Sequence, residues 1–413
     1  MSKWRDCTLG DLLEIKHGFA FLGEHFSDKG SHIVLTPGNF YDEGGFKNKG
    51  IKEKWYSGPI PKDYILSKGD LLIAMTEQAE GLLGSSAIIP RSGLYLHNQR
   101  LGLVNIRDAE AADKNFLYFL FNSKSVRQQI RGSASGTKIR HTAPSRIESV
   151  KVRVPPLLIQ RRIAGILSAY DDLIENNQRR IKILEEMARS LYREWFVHFR
   201  FPGHENHPRV PSPLGEIPQG WEVRRASDCI EINPRVKVPK DGEKPFVPMG
   251  CLSNDSMVLH DIELRTGNSG SKFQNGDTLF ARITPCLENG KTGFVQFLPG
   301  AGSVGFGSTE FIVLRSRTLT PELVYCMARS DEFRGVAIKS MSGATGRQRV
   351  QERCFDDFSV VQPPKALLDR FSESTRPSFK LIFELDGQVQ NLRRTRDLLL
   401  PRLLSGQIDV EGS

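Results

Sequence analysis

Cysteine is scarce in this chain of 413 residues. None of its six cysteines forms a C-x-x-C pair, and five lie in the second half. They are Cys7, Cys229, Cys251, Cys286, Cys326 and Cys354. This distribution argues against a disulfide framework and a zinc site, and it suits a reducing cytosol. No apolar run approaches the about 20 residues of a membrane span, and the polar segment Met1 to Gly10 is unlike a signal peptide. We therefore expect a cytoplasmic protein.

Catalytic motifs are also missing from the sequence. It contains no P-loop, no G-x-S-x-G, no H-E-x-x-H and no Asn/Asp-Pro-Pro-Tyr/Phe loop of an amino-methyltransferase. Gly300 to Gly305 matches G-x-G-x-x-G, but the following Phe306 to Leu314 has strand character where a dinucleotide site requires a helix. We therefore predict no catalytic residue, no metal ligand and no cofactor site in this chain.

The charge balance favours a polyanionic partner without establishing one. The chain has 57 basic and 48 acidic residues, a formal charge of +9 and an isoelectric point near 9.2. An excess of basic residues is typical of proteins that bind nucleic acid. Many basic soluble proteins bind none, so this interpretation needs support from the arrangement of the residues.

An internal repeat is the most informative feature that is present. Anchor residues of the first half recur in the same order at offsets between 217 and 207 residues. The pairs are Trp4 and Trp221, Asp11 and Asp228, Gly38 and Gly250, Gly69 and Gly276, Asp70 and Asp277, and Pro155 and Pro363. This period is too long for a solenoid repeat. It predicts two copies of one domain-plus-helix unit.

Each copy ends in a long helical pattern. From Leu157 to Phe199, apolar residues recur at steps of three and four over more than four heptads, which is typical of a coiled coil. Asn177 occupies one of these positions, where a polar side chain can fix the register. The second helix, from about Pro364 to Ser405, is interrupted by Pro377, which we expect to kink it, and by Gly387, which weakens it. Two such helices can pair with each other, most simply in antiparallel orientation.

The region before each helix mixes short strands and loops. Ser31 to Gly38, Asp70 to Met75, Ser86 to Ile89 and Leu101 to Ile106 are predicted strands, and Lys114 to Ile130 is a predicted helix. We therefore expect an α+β protein with an internal pseudo-twofold repeat, in which two similar globular domains are separated by two antiparallel coiled-coil helices. The expected boundaries are residues 1–155, 156–200, 201–363 (including a linker at 202–220) and 364–413.

Two loops at equivalent places of the copies carry hydrogen-bond donors. Ser135 to His141 contains Lys138, Arg140 and His141, and Ser342 to Arg349 contains Arg347, Gln348 and Arg349. Arginine and glutamine can present paired hydrogen bonds to guanine and adenine in the major groove, whereas lysine more often contacts phosphate. The alternative is an ordinary basic surface loop, but its recurrence in both copies favours a DNA-binding role.

Further candidate DNA contacts lie at strand ends and in a loop of the first copy. They are Thr76, Gln99, Arg100, Arg282, Thr284, Thr309, Lys54 and Tyr56. Residues at strand ends are often simple turns, and the aromatic pair beside Lys54 could instead cover a small core. The strand-end residues are candidates because they follow strands that both copies share, and Lys54 and Tyr56 because they could contact the DNA backbone or stack on it.

Several motifs resemble those of specificity (S) subunits of type I restriction-modification systems. Pro155-Pro-Leu-Leu-Ile-Gln-Arg-Arg-Ile163 and Leu191-Tyr-Arg-Glu-Trp-Phe196 are similar to their central helical region. Leu214-Gly-Glu-Ile-Pro-Gln-Gly-Trp-Glu222 is similar to the start of their second recognition domain, and Leu398-Leu-Leu-Pro-Arg-Leu-Leu-Ser-Gly-Gln-Ile408 to their last helix end. With the repeat, the resemblance covers essentially the whole chain.

The resemblance implies a non-catalytic subunit that reads double-stranded DNA, as part of a system for DNA methylation and phage defence. One target recognition domain would read each half of an asymmetric bipartite site, and the helices would act as a spacer. It also implies two methyltransferase (M) subunits bound through the helices, with S-adenosylmethionine held by those subunits, and a restriction (R) motor-nuclease subunit. The alternatives are a type II system with a fused methyltransferase-nuclease partner, a self-contained DNA enzyme, and a coiled-coil scaffold without a DNA role.

Overall fold

The computed structural model describes residues 4–78, 80–300, 302–344 and 346–410. The chain forms two compact units, the first made of residues 1–173 with 391–413 and the second of residues 174–390. Both unit boundaries fall inside a long helix. Each unit therefore contains one globular domain and a part of each long helix.

The first unit is built from short strands and three short helices before the first long helix. Its strands are β1 (Arg5–Thr8), β2 (Leu13–His17), β3 (Phe26–Ser27), β4 (His32–Val34), β5 (Trp55–Tyr56), β6 (Leu71–Ala74), β7 (Thr76–Glu77), β8 (Ser86–Ile88), β9 (Tyr95–Leu96), β10 (Leu101–Ile106), β11 (Arg140–His141) and β12 (Lys151–Val154). Its helices are α1 (Lys114–Phe121), α2 (Lys124–Gly132), α3 (Pro144–Glu148) and the first part of α4 (Leu157–Tyr192). These elements confirm the α+β class.

Two four-stranded sheets organise this domain. One has the order β2-β10-β6-β8 and the other β3-β5-β4-β9, while β1 pairs with β12. The buried strand β6 packs on both faces, which is why Leu71 to Ala74 reads as a continuous apolar run. The predicted helix Lys114 to Ile130 is in fact two helices, because the Ser123 side chain caps the start of α2 by accepting the Val126 amide.

The second unit repeats this plan. Its strands are β13 (Arg209–Ser212), β14 (Gly215–Pro218), β15 (Glu222–Arg225), β16 (Ile230–Ile232), β17 (Lys244–Val247), β18 (Glu263–Arg265), β19 (Ser271–Phe273), β20 (Thr278–Ala281), β21 (Thr292–Phe294), β22 (Gly305–Gly307), β23 (Phe311–Ser316) and β24 (Ser359–Gln362). Its helices are α5 (Ala226–Cys229), α6 (Pro321–Ala328), α7 (Asp331–Lys339) and the first part of α8 (Lys365–Leu404).

The sheet orders show that the sequence repeat is also a structural repeat. The order β16-β23-β20-β21 matches β2-β10-β6-β8 strand for strand, and the pair β15-β24 matches β1-β12. The sheet β18-β17-β22-β19 corresponds to the second sheet of the first unit, in which β4 and β9 are also parallel neighbours. The first unit adds β3, which falls in its longer region between Asp11 and Gly38.

The long helices run antiparallel within each unit. In the first unit, Arg162 of α4 donates to the Val410 carbonyl, and Asp171 pairs with Arg396 of α8 at 2.6 Å. In the second unit, the Asn177 side chain donates to Gln388 at 3.1 Å, and the ring of Trp195 lies 6.0 Å from that of Phe371. Earlier residues of α4 thus face later residues of α8. The buried Asn177 therefore has a polar partner, Gln388, which a polar side chain needs if it is to fix the register of the two helices.

The helix α8 continues through Pro377 and Gly387, so neither residue ends it, and the kink expected at Pro377 stays a prediction. The segment 202–220, expected to be a linker, contains the hairpin β13-β14, in which Arg209 pairs with Pro218 and Ser212 with Gly215. The helix α4 ends at Tyr192, and a π-helical turn, Arg193–Val197, follows it. Among helices of the described residues, none combines the length and apolar character needed to cross a bilayer.

Candidate nucleic-acid interface

In the first unit, two short strands bring several candidate residues together. β7 and β11 are antiparallel, with Thr76 opposite His141 and Glu77 opposite Arg140. The loop before β11 is closed by Ser135 and His141, whose backbone amides each donate to the other's carbonyl at 2.9 and 2.8 Å. We name the segment 135–141, together with β7, the first readout loop. Its geometry places Thr76, Arg140 and His141 on one small ribbon.

The first readout loop exposes its polar side chains to solvent. Lys138, Arg140 and His141 are exposed, and within the described residues no hydrogen bond or ion pair involves the side chains of Lys138 and Arg140. Gly136 has φ +101°, and a Cβ atom there would lie 2.0 Å from the Ile139 carbonyl oxygen. Glycine is therefore required for this tight turn, and the turn holds the donors away from the domain surface.

A buried carboxylate supports this loop from beneath. Glu77 is buried and accepts hydrogen bonds from the amides of Gly81 and Leu83 at 3.1 and 2.9 Å. Arg131 of α2 lies 3.4 Å from Glu77 and 2.7 Å from Glu80. The sequence interpretation missed this support, although a Glu-x-x-Glu spacing beside a strand end was visible. These bonds hold the Glu77 carboxylate in the interior. The exposed face of the loop therefore carries the charges of Lys138 and Arg140.

A groove of about 160 Å³ adjoins the first readout loop. Lys54, Gln99 and Arg100 line it together with Thr36 and Asn98, and with the rings of Phe21 and Phe26. The Arg100 carbonyl accepts the Met75 amide at 2.9 Å, which ties the groove to β7. Lys54 and Arg100 are exposed, and the Gln99 side-chain oxygen is buried without a partner among the described residues. Three candidate residues are thus gathered in one cationic groove.

Tyr56 does not belong to this surface. Its side chain is only 1% exposed, and its ring packs against those of Phe21 and Phe26 at 5.0 and 5.5 Å. The prediction that Tyr56 contacts DNA is therefore wrong. Trp55 and Tyr56 of strand β5 pack into two different apolar clusters, whereas Lys54, just before the strand, is exposed.

In the second unit, the equivalent loop has the same backbone hydrogen bonds. Arg349 bridges both Ser342 and Ile283, and the Ser342 and Arg349 amides each donate to the other's carbonyl at 3.0 and 2.9 Å. Thr284 and Gln348 exchange two bonds of 3.1 Å, one through the Thr284 hydroxyl. We name residues 342–349 with 283–284 the second readout loop. Thr284, Gln348 and Arg349 are thus brought together.

Arg349 is not a free donor as the sequence suggested. Its Nε lies 2.9 Å from Oε2 of Glu310, and its Nη2 lies 2.6 Å from Oε1. These bonds hold the pKa of the Glu310 carboxyl below its usual range. The Arg349 side chain is still 48% exposed, against 21% for Glu310. The guanidinium is therefore oriented by a carboxylate while one of its edges faces solvent.

The remaining candidates of the second unit divide into structural and exposed residues. Arg282 donates to Glu352 at 3.0 Å and to the Val350 carbonyl at 3.3 Å, so its guanidinium braces the loop, and the prediction that it is a DNA contact loses its geometric support. Arg347 and Thr309 are exposed. The two partner carboxylates, Glu310 and Glu352, were missed because they are distant in sequence from the arginines they bind.

A larger groove of about 590 Å³ lies in the second unit. It is lined by Arg235, Lys237 and Lys272, together with Asn233 and Ser271. Lys272 lies on β19, whose neighbour Gly270 closely approaches the Gly307 carbonyl just before Thr309 and Glu310. These cations were not among the predicted DNA contacts, although the closely spaced basic residues from Arg235 to Lys240 indicated a basic surface. Both units therefore combine a donor-bearing loop with a cation-lined groove.

Comparison with known proteins finds sequences that are similar to this chain. The profile of the type I restriction modification DNA specificity domain matches residues 1–186. The type I restriction enzyme MjaIX specificity subunit of Methanocaldococcus jannaschii is 24% identical over 75% of this chain and 72% of its own length. The EcoEI specificity subunit of Escherichia coli is 34% identical over 48% of this chain, but the alignment covers only 34% of that protein.

A solved structure supports the same fold over nearly the whole chain. The crystal structure of a type I restriction-modification system S subunit from M. genitalium covers 97% of this chain and 96% of its own, with a TM-score of 0.61. The sequence identity is 14%, so this likeness bears on the fold. Together with the matched profile and relatives, it agrees with the repeat of domain and helix observed here.

Proposed function

We propose that this chain is a specificity subunit of a type I restriction-modification system, as the matched profile and relatives support, and that it reads an asymmetric DNA site in two parts. Each globular domain would read one half-site through its readout loop and its cation-lined groove. The loops would supply contacts to base edges, and the grooves would supply contacts to phosphates. The chain itself would contribute recognition, and catalysis would come from its partner subunits.

The observation that carries this proposal is a common backbone scaffold that bears different side chains. The bonds between Ser135 and His141 recur between Ser342 and Arg349, and the Thr142 amide bond to Met75 recurs between Val350 and Arg282. The donors on this scaffold are Lys138, Arg140 and His141 in one unit, and Arg347, Gln348 and Arg349 in the other. Different donors on one frame are suited to reading two different sequences.

Exposed apolar side chains on the long helices support the proposed partners. In the first unit, Leu158, Leu173 and Leu398 are exposed, and in the second unit Ile183, Met187 and Phe383 are exposed. Ile183 and Met187 lie four residues apart and therefore share one face of α4, and a contiguous exposed apolar face is typical of protein interfaces. We propose that the exposed helix faces of each unit contact one methyltransferase subunit, that S-adenosylmethionine binds to those subunits, and that a restriction motor-nuclease subunit completes the complex.

The test is co-expression of the chain with its methyltransferase subunit, followed by mapping of methylated adenines on a genome. We expect one split, asymmetric motif. A continuous motif, or methylation without sequence preference, would contradict the proposal. Methylation by the purified chain alone would show instead that it is an enzyme in its own right.

A second test concerns the helices between the domains. Deleting four residues within Ile174 to Leu191 removes about one turn of helix. We expect this deletion to change the number of unread base pairs between the half-sites, or to abolish methylation. A matched control deletes Pro213 and Leu214 at the tip of the β13-β14 hairpin and should keep the original spacing. An unchanged target in the helix deletion would rule out a spacing role.

A further inference from the structure

We infer that Arg349, oriented by Glu310, reads a guanine in the half-site of the second unit, and that Glu310 is the positioning residue for this contact. The inference deepens the proposed function and rests on it. It names one base and the pair of side chains that would select it. Neither the repeat nor the basic character of the loop indicates which base is read.

Among the described residues, the hydrogen bonds of Arg349 leave one defined edge of its guanidinium unused. A guanidinium has five N–H donors in a planar fork. Glu310 accepts from Nε and from Nη2, which occupies one side of that fork. The opposite edge, formed by Nη1 and the second hydrogen of Nη2, has two roughly parallel donors. This edge matches the O6 and N7 acceptors of guanine in the major groove.

The backbone and the exposure of Arg349 make this edge available. The amide and carbonyl of Arg349 are both bonded to Ser342, so the residue cannot swing with the loop tip. About half of its side chain is open to solvent. A side chain held before binding loses less conformational entropy when it contacts a base. The arrangement is therefore that of a prepared reader rather than a mobile surface cation.

A base contact explains the carboxylate better than a phosphate contact does. Phosphate is recognised by charge, and an unpaired lysine or arginine serves that purpose without a fixed orientation. A neighbouring carboxylate such as Glu310 weakens attraction to phosphate, because it offsets the arginine charge. Glu310 instead fixes the orientation of the Arg349 guanidinium, and recognition of a base by paired hydrogen bonds requires a fixed orientation. The pair is thus suited to guanine.

Arg282 provides an internal comparison. Its Nη1 donates to Glu352 and its Nη2 to the Val350 carbonyl, so the edge that is free in Arg349 is occupied in Arg282. Only a quarter of its side chain is exposed. The two arginines of this loop region are therefore held through different edges of the guanidinium. Of the two, only Arg349 keeps the edge with its paired Nη donors available.

The experiment uses the full chain co-expressed with its methyltransferase subunit. The methylated motif is mapped for the wild type and for Arg349→Lys and Glu310→Gln. A matched control is Glu222→Gln, which alters an exposed Arg–Glu pair of the same unit, on strand β15. We expect one half-site to contain a required guanine. Both loop variants should relax that position by roughly 5- to 150-fold, with the other half-site and the control unchanged.

A binding measurement separates base reading from a merely structural role. The complex is titrated with a duplex of the mapped site, and with the same duplex carrying a deaza analogue that lacks the N7 acceptor of that guanine. The wild type should bind the analogue more weakly, whereas Arg349→Ala should bind both duplexes equally. Equal binding by the wild type would overturn the inference, as would a half-site without guanine. Relaxation by Arg349→Lys but not by Glu310→Gln would refute the positioning role.

These outcomes are distinguishable from failure of the proposed function. If the wild-type complex methylates no split motif, the proposed function fails and the inference fails with it. If a split motif is found and neither half-site responds to Arg349 or Glu310, the proposed function stands and only the guanine assignment is wrong.

Discussion

The two readout loops share the same backbone hydrogen bonds, but the side chain beside the loop is a cation in the first unit and a carboxylate in the second. The backbone bond from the Met75 amide to the Arg100 carbonyl in the first unit corresponds to that from Arg282 to Glu310 in the second. His141 and Arg349 occupy equivalent bridging positions. The first unit thus has a cation, Arg100, where the second has the carboxylate that holds Arg349. One frame therefore supports a loosely held cationic loop in one unit and an oriented arginine in the other.

The polar contacts that the long helices make also differ between the two units. In the second unit, the buried Glu185 of α4 accepts the Tyr325 hydroxyl and the Met257 amide, and the rings of Tyr325 and Phe379 lie 5.6 Å apart. In the first unit, the helices are joined instead by the partly exposed pair of Asp171 and Arg396. The helices thus make a buried polar contact with the domain in the second unit and a partly exposed ion pair with each other in the first.

The largest expected effect tests this second contrast. Glu185→Ala leaves the Tyr325 hydroxyl and the Met257 amide buried without an acceptor, which costs about 2–6 kcal/mol of unfolding free energy for the two groups together. Asp171→Ala should cost about 1 kcal/mol, because Arg396 keeps Asp397 as a partner at 2.9 Å. Urea unfolding monitored by fluorescence measures both. Equal losses would show that the two units are held in the same way.

A titration in the first unit gives the next effect. His97 is buried, its Nε2 bonds to the Leu101 carbonyl at 2.8 Å, and burial lowers its pKa from 6.5 to about 4. The folded state therefore binds this proton more weakly than the unfolded chain. Stability is fully present above pH 6.5 and falls by about 3 kcal/mol as the pH drops towards 4. The equivalent residue of the second unit, Gly307, does not titrate.

Hydrogen exchange as a function of pH measures this loss. We expect amides of β9 and β10 to lose protection on acidification before those of β22 and β23. His97→Gln keeps a donor near the Leu101 carbonyl but does not titrate between these pH values, so it should remove the difference. If both units lose protection together in the wild type, His97 does not distinguish them.

The repeated fold could be predicted from the sequence, but many side-chain contacts at the candidate site could not. The repeat and the helical periodicity predicted the α+β copies, because buried apolar positions repeat at fixed spacings. Tyr56 and Arg282 were predicted to contact DNA, whereas the rings of Phe21 and Phe26 cover the first and Glu352 binds the second. Such pairings join residues distant in sequence, so local patterns do not contain them.

The smallest expected effect tests the contrast between the readout loops directly. Arg100→Glu combined with His141→Arg places the carboxylate–arginine pair of the second unit on the frame of the first. The new guanidinium should present a free edge to the DNA, as we infer for Arg349. The first half-site should then gain a preference for guanine at one position of about 1–3 kcal/mol. Mapping of methylated sites in the co-expressed complex measures this preference.

The single variants are the controls for that exchange. His141→Arg alone adds a donor without a carboxylate to orient it, so it should strengthen binding to many sequences and select guanine weakly. Arg100→Glu alone should weaken binding without changing the motif. The second half-site should stay the same in all three proteins, because its own loop is untouched. A guanine preference equal in the single and double variants would show that orientation by the carboxylate is not what separates the two loops.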